Sequence, residues 1–295
     1  MALPERRVGM LERNLALFPG WQLGRQPHRG RIERVDFLGA IASVERAQLG
    51  EIELDVLSWL TAEWWEQGAS VDGITRFTWY RFGQDMWGAA PSGRHRALLQ
   101  EAIDNLMGAV VTLSGFDAHT GELTPALFSD VHLLRSVVRP RPRGARSDPA
   151  LDGGKREDTV EVRLEDWIVA QLLGDYRLVL DWQVQRQLTG AAKRLWYYLG
   201  ARASDFATTS WPSEAQLEVE LTDALLEGLS LTGARARDRR AALARAGGRI
   251  VRADPRYLQV DVDRDGEAVA GYRLRAVRRD PEPPGDVLEA TATPA

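Results

Sequence analysis

Residues 232–245 run TGARARDRRAALAR, a stretch that carries Arg235, Arg237, Arg239, Arg240 and Arg245 against a single acid, Asp238. On a solvated helix, charges of opposite sign are expected three or four residues apart, because such pairs attract and like pairs repel. Here the acidic partners are missing, which leaves planar guanidinium forks suited to bidentate contact with phosphate oxygens or guanine edges. The chemistry on offer is non-covalent grip on a polyanion. Arg252, Arg256 and Arg264 follow on an expected hairpin, where they would hold phosphate backbone. Lys193 and Arg194, at the start of an earlier helix, are placed to clamp a neighbouring phosphate. Arg94, His95 and Arg96 open another helix, whose free N-terminal amides favour anions as well. A domain that packs or dimerises would carry the same three residues, and a plain surface helix is the competing reading of the arginine stretch.

Other chemistries find little support. The one Gly-Lys pair, Gly154 and Lys155, is followed by Arg156 and has Pro149 where a phosphate-binding loop needs its first glycine. The four histidines, His28, His95, His119 and His132, lie far apart and none has a paired metal-ligand spacing. A nickase with a histidine-bound metal is therefore disfavoured. Asp261, Asp263 and Asp265 alternate along an expected strand, without the glycine and terminal glutamate of a calcium loop, and read as solvated turn acids. With no cysteine in the chain, disulfides, thiol nucleophiles and the common thiolate zinc sites are excluded. The expectation is a protein without catalytic activity, cofactor or metal.

The elements that must carry these arginines are legible from periodicity. Residues 51–67 predict a helix ending at Gly68, 74–79 a short strand, and 80–87 a small helix closed by Gly88. Ser92 caps a helix whose face is Leu98, Leu99, Ala102, Ile103 and Leu106. Strands over 110–116 and 122–138 follow, with 117–121 as their turn. Residues 139–158 are rich in arginine, proline and glycine with no apolar period, and predict a linker.

In the second half Leu188, Ala192, Leu195 and Leu199 mark a helix over 190–203 with Thr189 as its N-cap. Residues 208–211 predict a short strand. Ser213 and Gln216 have capping-box spacing and predict a helix to about residue 221. The basic helix spans 233–246 and is halted by Gly247 and Gly248; strands over 249–260 and 269–277 flank a turn at 263–266. Helix, short strand, two helices and a hairpin, given twice, is the order of a winged-helix unit, whose third helix enters the major groove.

Charge supports the second unit as the reader. The 295-residue chain has a net charge of −4, yet residues 230–279 hold 13 arginines against 6 acids, a balance of +7 that leaves −11 for the rest. Only Lys155 and Lys193 are lysine, a bias that a GC-rich genome would also produce. No apolar run is long enough to span a bilayer, and residues 1–13 carry charges where a signal peptide needs apolar residues, so a cytoplasmic location without membrane contact is expected.

The stretches at 74–88 (ITRFTWYRFGQDMWG), 92–106, 121–135 and 164–195 fall in an order that resembles the plasmid replication initiators of the TrfA and RepA type. ITRFTWYRFGQDMWG at 74–88, then 92–106, then 121–135 with Leu133-Leu134 before a basic segment, is similar to the first winged helix of that family. LEDWIVAQLLGDYRLVLDWQVQRQLTGAAKRL at 164–195 is similar to its interdomain join. The resemblance spans roughly 51–279. It implies an α+β, mainly helical fold of two tandem winged-helix domains. The expected layout is a flexible segment at 1–30, a first domain at 31–140 for dimerisation or secondary DNA contacts, a linker at 141–158, the main DNA-binding domain at 159–280, and a disordered tail at 281–295.

The same resemblance implies binding to repeated sites (iterons) in double-stranded origin DNA, recruitment of the host initiator, helicase loader and helicase, a monomer/homodimer equilibrium that restrains copy number, and association with plasmid or nucleoid. NLALF, with Asn14, Leu15, Leu17 and Phe18, resembles the peptide by which some of these initiators dock on the sliding clamp; an N-terminal helix packed on the domain explains the same apolar residues. The helix at 233–246 is shorter and richer in arginine than its family counterpart, so the family's base contacts do not transfer. A winged-helix transcriptional regulator is the alternative function, and a partitioning adaptor working through protein contacts is a third.

Overall fold

The computed structural model describes residues 8–18, 20–21, 32–35, 41–45, 49–114, 128–139, 159–174, 176–202, 207–210, 214–229, 231, 235–264 and 272–279. The chain is mixed α/β, and about half of the described residues are helical. Strands take a larger share than the mainly helical expectation allowed. No described helix is long and apolar enough to cross a membrane.

Strand β1 (Val8–Glu12) leads into the short helix α1 (Arg13–Leu17), followed by β2 (Ile32–Val35), β3 (Ile41–Glu45) and the long helix α2 (Glu51–Glu66). After α2 come β4 (Ile74–Thr78), α3 (Trp79–Trp87), α4 (Gly93–Gly108), β5 (Val110–Ser114), β6 (Phe128–His132), β7 (Leu134–Val138) and β8 (Thr159–Leu164). The second half contains α5 (Asp166–Leu173), β9 (Arg177–Asp181), α6 (Trp182–Gln187), α7 (Gly190–Ala201), β10 (Ala207–Ser210), β11 (Glu214–Glu220), α8 (Asp223–Gly228), α9 (Ala236–Ala253), β12 (Tyr257–Arg264) and β13 (Tyr272–Arg279).

Local rules account for many of the boundaries. The Thr78 hydroxyl accepts from the Arg81 amide and caps α3, which Gly88 ends in the left-handed region at φ 73°. The Ser92 hydroxyl accepts from the His95 amide at the start of α4. At the head of α2 the Glu53 carboxylate reaches back to the Gly50 amide at 2.9 Å. Helix α2 is buried nearly all round, polar residues such as Glu53, Ser58 and Thr61 included, and packs on β1, β4 and α4. Trp59 stacks on Phe82 at 4.3 Å and donates its indole N–H to Asp85, so the aromatic cluster of α2, β4 and α3 has its polar edge satisfied.

One topology occurs twice. In the first unit α2, β4, α3, α4, β7 and β8 follow in order, and the last strand lies in the middle of the sheet β4-β8-β7. In the second, α7, β11, α8, α9, β12 and β13 repeat the order, again with the last strand central in β11-β13-β12 and with β10 added at the β11 edge. The first unit carries an insertion, because β5 and β6 leave it between α4 and β7 to join β2 and β3 in a separate sheet, β2-β3-β5-β6. Buried side chains of both units belong to one continuous core.

Several expectations change. The boundary expected at 141–158 is not where the units part: these residues lie outside the description, but the strands they join, β7 and β8, pair antiparallel, with Val138 opposite Glu161. Strand β8, assigned by sequence to the second domain, is the middle strand of the first unit's sheet. Within the segment 1–30, expected to be flexible, β1 pairs with β9 from Val8↔Asp181 to Glu12↔Arg177 and α1 packs on α7. The helix expected after Ser213 is strand β11, where Ala215, Leu217 and Val219 alternate with Glu214, Gln216, Glu218 and Glu220. The basic helix does not stop at Gly247 and Gly248 but runs to Ala253, so the strand expected from Arg249 begins only at Tyr257. The turn at 117–121, residues 265 and 266 of the turn at 263–266, and the tail at 281–295 lie outside the described residues.

The joint between the units is polar and buried. The Lys193 ammonium on α7 donates to Asp55 at 2.8 and 3.0 Å and lies 3.2 Å from Glu51, both on α2. Burial works against the charge, but the two carboxylates outweigh it and hold the Lys193 pKa above its ordinary value. The next residue, Arg194, donates to the carbonyls of Ala16, Leu17 and Gly228, fastening α1 and the end of α8 to α7. One turn further along α7 than Lys193, Trp196 donates to Asp254 at 2.8 Å, and Asp254 also receives a two-pronged contact from Arg256. This fixes the C-terminal end of α9. Burial pushes the Asp254 carboxyl up, while the hydrogen bonds from Arg256 and Trp196 and the Arg256 charge together bring it below its ordinary value.

Two predictions follow from the joint. Lys193→Ala leaves buried carboxylates without their cation and is expected to cost about 3–5 kcal/mol in urea unfolding, whereas Arg252→Ala stays within about 0.5 kcal/mol. Asp254 has a lowered folded-state pKa, so its contribution is complete above the unfolded value of about 4 and is lost as pH falls through the folded value. The stability gap between wild type and Asp254→Asn is therefore expected to be widest at neutral pH and to shrink below about pH 4; a gap that stays constant into acid would contradict this assignment.

Candidate nucleic-acid interface

Helix α9 is the third helix of the second unit and carries six arginines against one aspartate. Its buried seam is Leu243, Ala246, Gly247 and Ile250, which packs on α7 and β12. Gly247 belongs to this seam because a Cβ there would collide with the carbonyl of Val260. At 100° per residue, the opposite face presents Arg237, Asp238, Ala241, Arg245, Gly248, Arg249 and Arg252 along the length of the helix, four arginines against one acid. Arg237, Arg245, Arg249 and Arg252 are exposed and have no acidic partner among the described residues.

The charge on this face is unfavourable for the helix by itself. Arg245 and Arg249 are four apart and Arg249 and Arg252 three apart, each like-charge pair costing about 0.2–0.5 kcal/mol. Arg237 in the first turn opposes the helix dipole, with Asp238 as the only acid to offset it. A bound polyanion removes both penalties. Two further arginines are held in place: Arg239 pairs with Asp223 at 2.7 Å, and the Arg240 guanidinium lies over the Tyr272 ring, 3.7 Å from its centroid.

The neighbouring sheet is different. Strand β13 is basic, but its register sets Arg273 between Glu220 and Asp263, and Arg275 between Glu218 and Asp261, with Arg279 opposite Glu214. Opposite charges across strands neutralise one another. Arg273 also contacts Glu218 at 3.4 Å. The excess of positive charge in this half therefore resides on α9.

Several residues expected at the interface are elsewhere. Lys193 and Arg194 are each 1% exposed and serve the joint between units, so they are not phosphate clamps. Arg256 lies between α9 and β12, in its contact with Asp254, and Arg252 sits on the last turn of α9; neither is on a hairpin. Arg264 is on β12, and its side chain is outside the description. Arg235 is the exposed N-cap residue of α9. Asn14, Leu15, Leu17 and Phe18 are buried, the Leu15 carbonyl accepts from the Trp21 indole, and the Ala16 and Leu17 carbonyls are held by Arg194. In this arrangement they form part of the core and not a displayed peptide.

The helix expected from the sequence ends at residue 246, three residues before Arg249, and leaves that arginine out of the expected interface. The spacing of Leu243, Ala246, Gly247 and Ile250 continues a helical seam through the two glycines and was the signal available. In the first unit, α4 has Arg94 exposed, His95 stacked on Trp87 at 4.3 Å and Arg96 over Trp79 at 5.4 Å. Its exposed acids Glu101 and Asp104 balance Arg94 and Arg96, and Asp104 pairs with Arg139. Helix α4 has no net charge and α9 has +5.

No protein-family model and no curated protein sequence matches the chain. Among solved structures, selenomethionine crystals of domains 2 and 3 of RctB superpose with a TM-score of 0.55 at 12% identity, covering 91% of this chain and 98% of that one. A second structure of RctB domains 2-3, spanning its residues 155–483, gives a TM-score of 0.52 at 13% identity, covering 91% of this chain and 97% of that one. The chain thus shares its fold, over nearly its whole length, with a two-domain region of RctB.

Proposed function

We propose that the protein is a DNA replication initiator that binds duplex DNA through α9. The observation that carries this reading is the unneutralised arginine face of α9 on a helix placed third in its unit. Helix, strand, two helices and two strands, with the last strand central, is the plan expected of a winged helix, and the chain is taken to hold two of them, α2 to β8 and α7 to β13. The shared fold supports initiation, since RctB is a replication initiator of a secondary chromosome. So does the order of motifs that resembles the TrfA and RepA type. At 12% identity the likeness speaks for the fold, and function rests on the site.

In this reading the second unit supplies most of the affinity. Arg237, Arg245, Arg249 and Arg252 contact phosphates and base edges, and Arg240, flattened on Tyr272, is pre-set for a planar contact. The first unit, with its balanced α4, makes secondary contacts or pairs with a second copy. Repeated origin sites, the host initiator, helicase loader and helicase as partners, and a monomer/homodimer equilibrium in the cytoplasm complete the proposal. Clamp binding through 14–18 would require α1 to leave α7.

A salt titration of binding to the DNA flanking the protein's own gene tests this. Wild type is expected to bind specifically and to weaken steeply as salt rises, because counterions are released from the phosphates. Arg245→Ala with Arg249→Ala should weaken binding at low salt and reduce the slope of log K against log salt by about 0.9 for each phosphate contact removed. Absence of any preference over random duplex at moderate salt would refute the proposal.

A further inference from the structure

Two adjacent glycines in the middle of an 18-residue helix call for a reason, since glycine is among the poorest helix formers. Gly247 has one in the Val260 carbonyl against which it packs. Gly248 does not. Its φ is not positive, and a Cβ there would meet only the Arg252 guanidinium at 3.8 Å, an ordinary contact. Nothing within the described protein requires this position to lack a side chain.

Gly248 lies on the open face of α9, three residues after Arg245, four before Arg252 and next to Arg249. No described residue needs the space, and the position shares its face with these cations. Building on the DNA-binding reading above, we infer that Gly248 is the point of closest approach between α9 and duplex DNA, and that its missing side chain sets how deeply the helix seats.

The physical argument is one of reach. A helix with its side chains nearly fills the width of a major groove, so the depth at which it sits is limited by the side chains that point at the groove floor and walls. With glycine at 248 the backbone advances, and Arg245, Arg249 and Arg252 meet phosphates and base edges from one position. A larger group at 248 holds the helix away without removing any arginine. Gly248 is thus a positioning residue, whose effect on binding is separable from charge and from folding.

The experiment compares full-length wild type, Gly248→Ala and Gly248→Leu for thermal stability and for binding to the duplex that flanks the protein's own gene. Because both substitutes are better helix formers, melting temperatures are expected to hold or to rise by about 2 °C. Binding is expected to move the opposite way, with Gly248→Ala several-fold weaker and Gly248→Leu weaker by roughly 10- to 100-fold, the scale of an overpacked contact. Higher stability with lower affinity is a pair of results that a merely structural glycine does not give. Wild-type affinity in Gly248→Leu, or a fall in melting temperature for Gly248→Ala, would overturn the inference. If Arg245→Ala with Arg249→Ala loses binding while Gly248→Leu keeps it, this inference alone fails; if wild type does not bind the duplex at all, the DNA-binding reading fails and takes it along.

Discussion

Two neighbouring cations on α7 hold the architecture together. Lys193 is sealed against Asp55 and Glu51 of α2, and Arg194 is saturated by carbonyls of α1 and α8. A charge taken out of water is tolerated only when partners surround it, and the same partners then cannot move apart without exposing an uncompensated ion. The pair ties α2 of the first unit, α7 of the second, and the N-terminal β1-α1 segment to one another. Ser58 and Gln185 add a further buried contact across the same joint, with Gln185 also donating to Asp55.

This joint gives α9 its freedom to carry unpaired charge. Helix α9 is anchored from behind, by its seam on α7 and β12 and by the Trp196–Asp254–Arg256 contacts at its C-terminal end. Its outer face is therefore not needed for stability and can hold arginines whose mutual repulsion would weaken an isolated helix. Acids are placed where they cannot interfere: on β11 and β12 they neutralise β13, and on α2 they receive Lys193. Among the described residues of an overall acidic protein, α9 thus presents a basic surface.

Much of this was legible in the sequence, where the local signals were strong. The Ser92 cap, the Gly88 stop and the apolar seams of α2, α4 and α7 place those elements within a residue or two of the observed bounds. Where two local signals compete, the more conspicuous one misleads. Capping-box spacing at Ser213 outweighed the two-residue alternation that makes β11, and a pair of glycines outweighed the seam that carries α9 to Ala253. Lys193 and Arg194 were misassigned for a different reason: a basic residue at a helix start looks the same whether it meets phosphate or a buried carboxylate 138 positions away. The pairing of β7 with β8 across residues 140–158 is likewise a long-range fact that composition does not carry.

The central claim is that the open face of α9 lies in the major groove of duplex DNA. The chain has no cysteine, so Ala241→Cys creates a unique thiol in the middle of that face to which a DNA-cleaving iron chelate can be attached. The account predicts cuts on the two strands confined to one major-groove window of the bound site. Cleavage spread evenly along the duplex, or none above that of free reagent while the protein remains bound, would contradict it.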